Sequence, residues 1–253
     1  MVKRWPLMVW VLGVSACADP EGVIFEEATL AAVDMHLHTG EWSLIPPRTQ
    51  EYLAERFPFP LNLEAAGLAN STLSAEGIVA QLDDAGLDLG VLFAIYAPHS
   101  VGIATNEFVL SQVEAAPDRL YGMASLRVDD WANDREAELA ALEAALASPS
   151  MIGIKIAHAH QHFRMDDPDY YGIYELAAEL QAPIYLHTGP SPFPGTLTDA
   201  PYTDASYLEE AIALYPEATF ILGHVGYDFI EYNLGTFESC VALAGSYENV
   251  YLE

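Results

Sequence analysis

From Leu89 to the end of the chain, short apolar runs alternate with amphipathic stretches, and the beat repeats about every thirty residues, the length of one strand-plus-helix unit. A strand that returns to its sheet through a helix lies parallel to its predecessor, so this rhythm demands a parallel sheet with helices packed outside it. Strands are expected over 32–38, 89–96, 120–128, 152–157, 184–188, 219–224 and 249–253, with helices over 75–85, 106–115, 134–147, 170–180, 205–214 and 229–244. Ser74 and Asp204 stand where N-caps of two of these helices belong. The repeat is structural only; the sequence itself does not recur.

A parallel sheet is either doubly wound and open or closed into a barrel, and the histidines decide between the two. His38, His187 and His224 each fall at the C-terminal end of a strand, the first, fifth and sixth in order. A barrel brings its strand ends to one mouth, where barrel active sites lie, whereas an open sheet would splay these three apart. No glycine-rich phosphate-binding turn follows the first strand, which weighs against a dinucleotide fold. The reading is an α/β fold, a TIM-type (β/α) barrel that is incomplete, with about seven of eight strands present. One connection is unusual. Residues 39–73 separate the first strand from its helix and contain Trp42, Phe57, Phe59 and four prolines, Pro46, Pro47, Pro58 and Pro60. A connection of that length is either a lid or binding loop, in which Trp42 would meet substrate, or a packed surface insertion.

With 52% apolar residues in 253, the chain can bury one substantial core, and its formal charge of −28 opposes nucleic acid and any electrostatic adhesion to an anionic bilayer. Lys3 and Arg4 precede an apolar stretch from Leu7 to Val14 that is too short to span a membrane, and Val14-Ser15-Ala16-Cys17 matches a bacterial lipobox. Residues 1–17 are therefore read as a lipoprotein signal with Cys17 as the lipidated residue, 18–30 as a tether and 31–253 as the barrel. The expected place is the bacterial periplasm or outer membrane; Ala18, rather than Asp, after the cysteine resembles outer-membrane sorting. The membrane is then met only through the lipid anchor, the partner is a small-molecule substrate, and a homodimer is an assembly open to the chain. Cys240 is left as the lone thiol of the mature protein, set in a helical pattern as a core residue. Beyond the N-terminus Lys155 is the only lysine.

His36 and His38 lie two apart on a strand, so both imidazoles face one side and can reach one metal ion; taken alone, such a pair is as compatible with satisfied polar groups. His187 and His224 add two more imidazoles at strand ends, each closely followed by glycine. Packing would be better served by Val or Ile, and a buried imidazole needs partners, so the four together point to a metal site.

These residues, with Gly153-Ile154-Lys155-Ile156 and Asn249-Val250-Tyr251-Leu252-Glu253, resemble the amidohydrolase superfamily, in particular the amidohydrolase-related group of metal-dependent hydrolases and non-oxidative decarboxylases. The resemblance runs in order from about Ala32 to the end. It implies His36, His38 and His187 as ligands of a divalent metal, zinc before manganese, and His224 as the catalytic residue that orients or polarises water or substrate. Three neutral imidazoles leave a coordination position open, where water can reach a pKa of about 7. Lys155 is expected inside the barrel, with a catalytic, supporting role; in binuclear relatives the equivalent lysine is carboxylated and bridges two metals. His158, His160 and His162 follow at the same mouth, His158 being the best candidate to touch substrate, and Arg164 is a candidate partner for a substrate carboxylate. The family adds an aspartate from an eighth strand. The sequence stops at Glu253, within the seventh, so the complete gene is expected to continue for one or two more units carrying that aspartate. The expected activity is hydrolysis of a C–N or C–O bond by metal-activated water. The alternatives are decarboxylation of an aromatic or unsaturated acid and a non-catalytic barrel lipoprotein that only binds.

Overall fold

The barrel strands are β1 (Val33–His38), β2 (Leu89–Phe93), β3 (Leu120–Ala124), β4 (Met151–Ile156), β5 (Ile184–His187), β6 (Phe220–Gly223) and β7 (Val250–Leu252). They form one seven-stranded sheet in strictly sequential order, every neighbouring pair parallel. These features are seen in a computed structural model that describes residues 23–25 and 28–253. The signal segment, its lipobox and Cys17 lie outside the described residues. Part of the expected tether forms a short antiparallel hairpin, Val23–Phe25 with Ala28–Leu30.

The sheet is curled, and one contact proves it. On a flat sheet β1 and β5 would stand about 19 Å apart, four steps of roughly 4.8 Å. Instead Nδ1 of His36 on β1 lies 2.6 Å from the phenol oxygen of Tyr185 on β5. The curl divides the apolar residues into two cores. The larger fills the layer between strands and helices, and includes Leu92, Ile154, Leu186 and Leu222. The smaller lies inside the curl and consists of Val91, Phe93, Met123 and Tyr185, flanked by Met35, Tyr121, Ile152 and Ile221. A period of two along β4 would put Ile152 on the outer face with Ile154 and Ile156. A register shift between β3 and β4 turns it inward.

The helices 75–85 and 106–115 occur with the expected bounds. Ser74 caps the first by accepting the Gly77 N–H at 3.2 Å, and Asp204 accepts the Ser206 N–H at 2.9 Å. Four regions differ from expectation, the first being the strand read as 120–128, which ends at Ala124. The strand read as 89–96 ends at Phe93, and Ile95–Ala97 pairs with Gly102–Ala104 as a separate antiparallel hairpin. The helix read from 229 begins at Phe237, because Tyr232 and Gly235 adopt positive φ and Asp228 pairs with Asn233 in a tight loop. The connection 39–73 is mostly helical, with α-helices at Pro47–Ala54 and Ala65–Thr72. Among the described residues no helix is long and apolar enough to cross a membrane.

Candidate metal centre and adjoining cavity

The pairing of β1 with β2 slips by one residue between Asp34 and Leu37. Leu37 packs outward into the larger core, while His36 and His38 both turn inward onto the Phe93 ring, with centroids at 4.9 and 5.9 Å. Their Nε2 atoms converge to 3.2 Å. Two imidazoles on one tetrahedral cation at Zn–N of about 2.0–2.1 Å would have nitrogens roughly 3.3–3.4 Å apart. The pair is therefore set at the separation a shared ion requires.

The back of His36 is fixed as well. Tyr185 donates its single hydroxyl proton to Oε2 of Glu253 in a very short hydrogen bond. Its oxygen is then left to accept from Nδ1–H of His36. That assignment places the ring proton on Nδ1 and the free lone pair on Nε2, the nitrogen that faces His38. Gly223 makes room for this chain of bonds, since a Cβ there would come within 2.2 Å of the Tyr185 oxygen.

His224 stands between the two halves of the site, its ring centroid 4.5 Å from His36 and 4.6 Å from His187. Both His224 and Val225 have positive φ, 65° and 49°, a costly conformation for a β-branched residue. Thr188 holds the turn: its hydroxyl donates to the Gly223 carbonyl at 2.7 Å and accepts the Gly226 N–H at 2.8 Å. His187 is buried, and its Nε2 has no hydrogen-bond partner. His160 packs edge-on to it at 4.9 Å. Burial, with help from the Lys155 ammonium and neighbouring imidazoles, pushes His224 down to about 4 and His160 to about 3, holds His36 lower still, and keeps His187 well below the ordinary imidazole value. All four are neutral near pH 7, the form that binds a cation.

Lys155 points inside as its parity required. It is 2% exposed, its Nζ lies 4.5 Å from the Phe93 centroid and 4.1 Å from that of Tyr185, and it has no hydrogen-bond partner. Burial outweighs the attraction of Glu253 and brings it down to about 7.

Other sequence-chosen residues lie elsewhere. His158 is turned into the outer layer, with Nε2 3.0 Å from the Tyr174 hydroxyl and its ring on Phe163, so it does not reach the mouth. His160 takes the place foreseen for it. Arg164 is exposed and engaged through Nε and Nη2 with the carboxylate of Asp166, at 2.8 and 2.7 Å. His162 bonds the Gly195 carbonyl at 2.7 Å and stacks on His99. Trp42 does line a cavity, of about 390 Å³, that opens onto His38.

Among the described residues no group of three or more His, Cys, Asp or Glu side chains is close enough to hold a metal as a finished cluster. The residues nevertheless fit a divalent cation in chemistry: a converging neutral pair, His36 and His38, and an unpartnered buried nitrogen on His187. The third donor borders His224 and would have to close up to join the pair. Asp228 is engaged with the following loop, its Oδ1 accepting the N–H groups of Ile230 and Glu231 at 2.8 and 2.9 Å.

The profile of the Amidohydrolase family matches residues 33–253. No curated protein matches the sequence. Among solved structures, the chain superposes on an uncharacterised TIM-barrel protein from Bordetella bronchiseptica at a TM-score of 0.65 and 18% identity, covering 88% of this chain and 74% of that one. A dihydroxybenzoic acid decarboxylase from Polaromonas, with bound manganese and the inhibitor 2-nitroresorcinol, gives 0.55 and 22%, over 78% and 66%. A probable 2-pyrone-4,6-dicarboxylic acid hydrolase from Acinetobacter baumannii with citric acid bound gives 0.54 and 16%, over 88% and 69%. At these identities the likeness speaks to the fold, an incomplete TIM barrel.

Proposed function

The chain belongs to the amidohydrolase family, and from that premise we propose that it is a metal-dependent hydrolase of C–N or C–O bonds in a small molecule. The observation that carries this reading is the pair of Nε2 atoms of His36 and His38 at 3.2 Å, with the His36 proton held on the far nitrogen by Tyr185. His36, His38 and His187 would hold a divalent cation, zinc before manganese, which would supply Lewis acidity at an open coordination position. His224, uncharged and set between His36 and His187, would orient or polarise the attacking water or the substrate. The rings of Phe93 and Tyr185 line the inside of the curl beside these residues.

A second reading is favoured by one observation on each side. The Polaromonas neighbour is a decarboxylase with manganese, and Lys155, the only lysine of the described residues, lies inside the curl where it could attract a carboxylate. Metal-loaded protein should be offered amides, esters and lactones in one panel and aromatic acids in another. Release of amine or acid supports the hydrolase, carbon dioxide from the acids supports the decarboxylase, and silence with less than about half an equivalent of bound metal supports a binding module.

Removing the support behind His36 should weaken metal binding without removing a ligand. Tyr185→Phe is expected to lower zinc or manganese affinity by about 10–100-fold, the usual cost of losing a partner behind a ligand. Calorimetric titration checks it, and an unchanged affinity would mean that the Glu253–Tyr185–His36 chain is only packing. The place of action is likewise proposed: a lipid on Cys17 tethers the enzyme in the bacterial periplasm or at the outer membrane. Labelled palmitate should enter the wild-type chain in cells and not Cys17→Ala; label retained by the variant refutes the anchor.

A further inference from the structure

Resting on the hydrolase reading, we infer that the cavity beside His38 is the subsite for an uncharged apolar group of the substrate, an aryl or phenylalkyl chain, whose reacting carbonyl lies at the imidazole pair. The cavity, of about 390 Å³, falls in the size range of small-molecule sites. Its walls come from three segments distant in sequence: Leu53 and Leu68 from the helical insertion, Ile95 and Ile103 from the short hairpin, and Phe193 from the loop after β5.

These walls are locked together before any ligand arrives. Gly102, at φ 102°, sits so close to the insertion that a Cβ would come within 2.5 Å of the Leu44 carbonyl oxygen. Thr49 donates to the Ser100 carbonyl, again joining insertion to hairpin. Gly195, at φ 81°, presses the third segment against the His99 carbonyl, where a Cβ would meet the oxygen at 2.0 Å. A preformed wall costs little ordering when ligand binds.

The lining also says what is refused. No lysine or arginine among the described residues lines the cavity, and its acid, Glu41, repels anions. The hydroxyl protons of Thr39 and Thr49 are already committed to the carbonyls of Leu73 and Ser100. Of the two arginines on the insertion neither Arg48 nor Arg56 lines the cavity, and Arg56 is folded over the Tyr52 ring and donates to the Tyr52 carbonyl. A carboxylate among these walls would have no lysine or arginine to pair it, whereas a phenyl ring would meet Leu53, Leu68, Ile95, Ile103 and Phe193.

The test reads binding rather than turnover. Phenylacetamide, 3-phenylpropanamide and 4-phenylbutanamide, with the three corresponding carboxylates, are titrated into metal-free and zinc-loaded protein at pH 7.5 by calorimetry. Amide affinity should rise about fourfold per added methylene, as expected for burial of one CH2, and each carboxylate should bind the metal-free protein at least about tenfold more weakly than its amide. Leu68→Trp, which fills the cavity, should abolish the dependence on chain length; circular dichroism and a thermal melt establish that the variant is folded, and Leu68→Ala gives the enlarging counterpart. Affinity that ignores chain length, carboxylates binding as well as amides, or an unaffected folded Leu68→Trp overturns the inference. The two readings fail separately. Chain-length-dependent binding without hydrolysis of any amide removes the hydrolase and keeps the subsite, and hydrolysis indifferent to chain length does the reverse.

Discussion

Zinc or manganese at about one hundred times its dissociation constant should raise the melting temperature of the wild-type protein by about 5–10 °C, and His187→Ala should abolish that rise. The size follows from linkage: a ligand at that excess stabilises the folded state by about 2.7 kcal/mol, and each kcal/mol shifts a chain of this size by roughly 2–4 °C. His187 is the informative residue because its two states would differ so much. Without a cation its Nε2 is buried and unpartnered, so the metal-free fold carries a desolvated lone pair with nothing to accept. Truncation removes that liability along with the donor. The metal-free variant should therefore melt close to the wild type, while the metal-dependent increment disappears and turnover of whichever substrate class the panel identifies falls by at least about 10³-fold. His36→Ala and His38→Ala should behave alike. His158→Phe and Arg164→Gln, whose side chains lie against Tyr174 and Asp166, should keep the increment. If His158→Phe loses it and His187→Ala does not, the ligand assignment is wrong.

Much of this site was legible because barrel geometry makes sequence position a spatial coordinate. A polar residue ending an apolar strand must point to the mouth, so His38, His187 and His224 could be gathered without any knowledge of contacts. The inward setting of Lys155 followed from period two alone, although the same count misplaced Ile152, because a register slip is decided by pairing with a neighbour and leaves no mark in one strand. Tyr185 was the principal omission. In sequence it reads as core filler between Ile184 and Leu186, and its partners lie 149 and 68 residues away. The only hint was Gly223, whose missing Cβ admits the phenol, and a glycine at a strand end serves just as often to turn the chain. The choice of His158 over His160 failed for a similar reason. Both sit in a single turn, His158–Gln161, and only the hydroxyls of Tyr174 on one side and Ser100 and Thr196 on the other decide which faces outward. The helices of the insertion were missed because its length pointed to a lid, binding loop or surface insertion. Pro47 in fact occupies a first-turn position, where proline is compatible with a helix.

Lys155→Met should stabilise the protein near and below pH 7 by a few kcal/mol, and the gain should vanish as the pH approaches 10.5. The wild-type ammonium is removed from water, has no hydrogen-bond partner and lies over two ring faces, an attraction worth about 2 kcal/mol when desolvated. That does not match the desolvation, and the pKa falls from 10.5 to about 7. Lowering the folded value of a lysine means that the fold prefers its neutral form. Below about pH 7 both folded and unfolded chains carry the proton, and the whole penalty of burying charge is felt. Between about 7 and 10.5 the unfolded chain keeps a proton that the folded chain has lost, so stability rises with pH; above 10.5 neither carries it and the penalty is gone. At 1.36 kcal/mol per pKa unit the full effect is a few kcal/mol, or a melting difference on the order of 10 °C for a chain of this size. Methionine keeps the length and apolar contact of the stem on Phe93 and Tyr185, so little packing is lost to offset the gain. Paired melts of metal-free wild type and variant across pH 6 to 10 isolate the lysine, because every other titrating group is common to both. A difference that stays constant over that range, or a variant less stable at pH 6.5, would show that Lys155 is charged and satisfied inside the barrel. The cost at neutral pH would then need another source. If the variant also loses turnover while keeping the metal-dependent rise in melting temperature, the lysine acts on substrate rather than on the ion, and the fold tolerates its burial for that use.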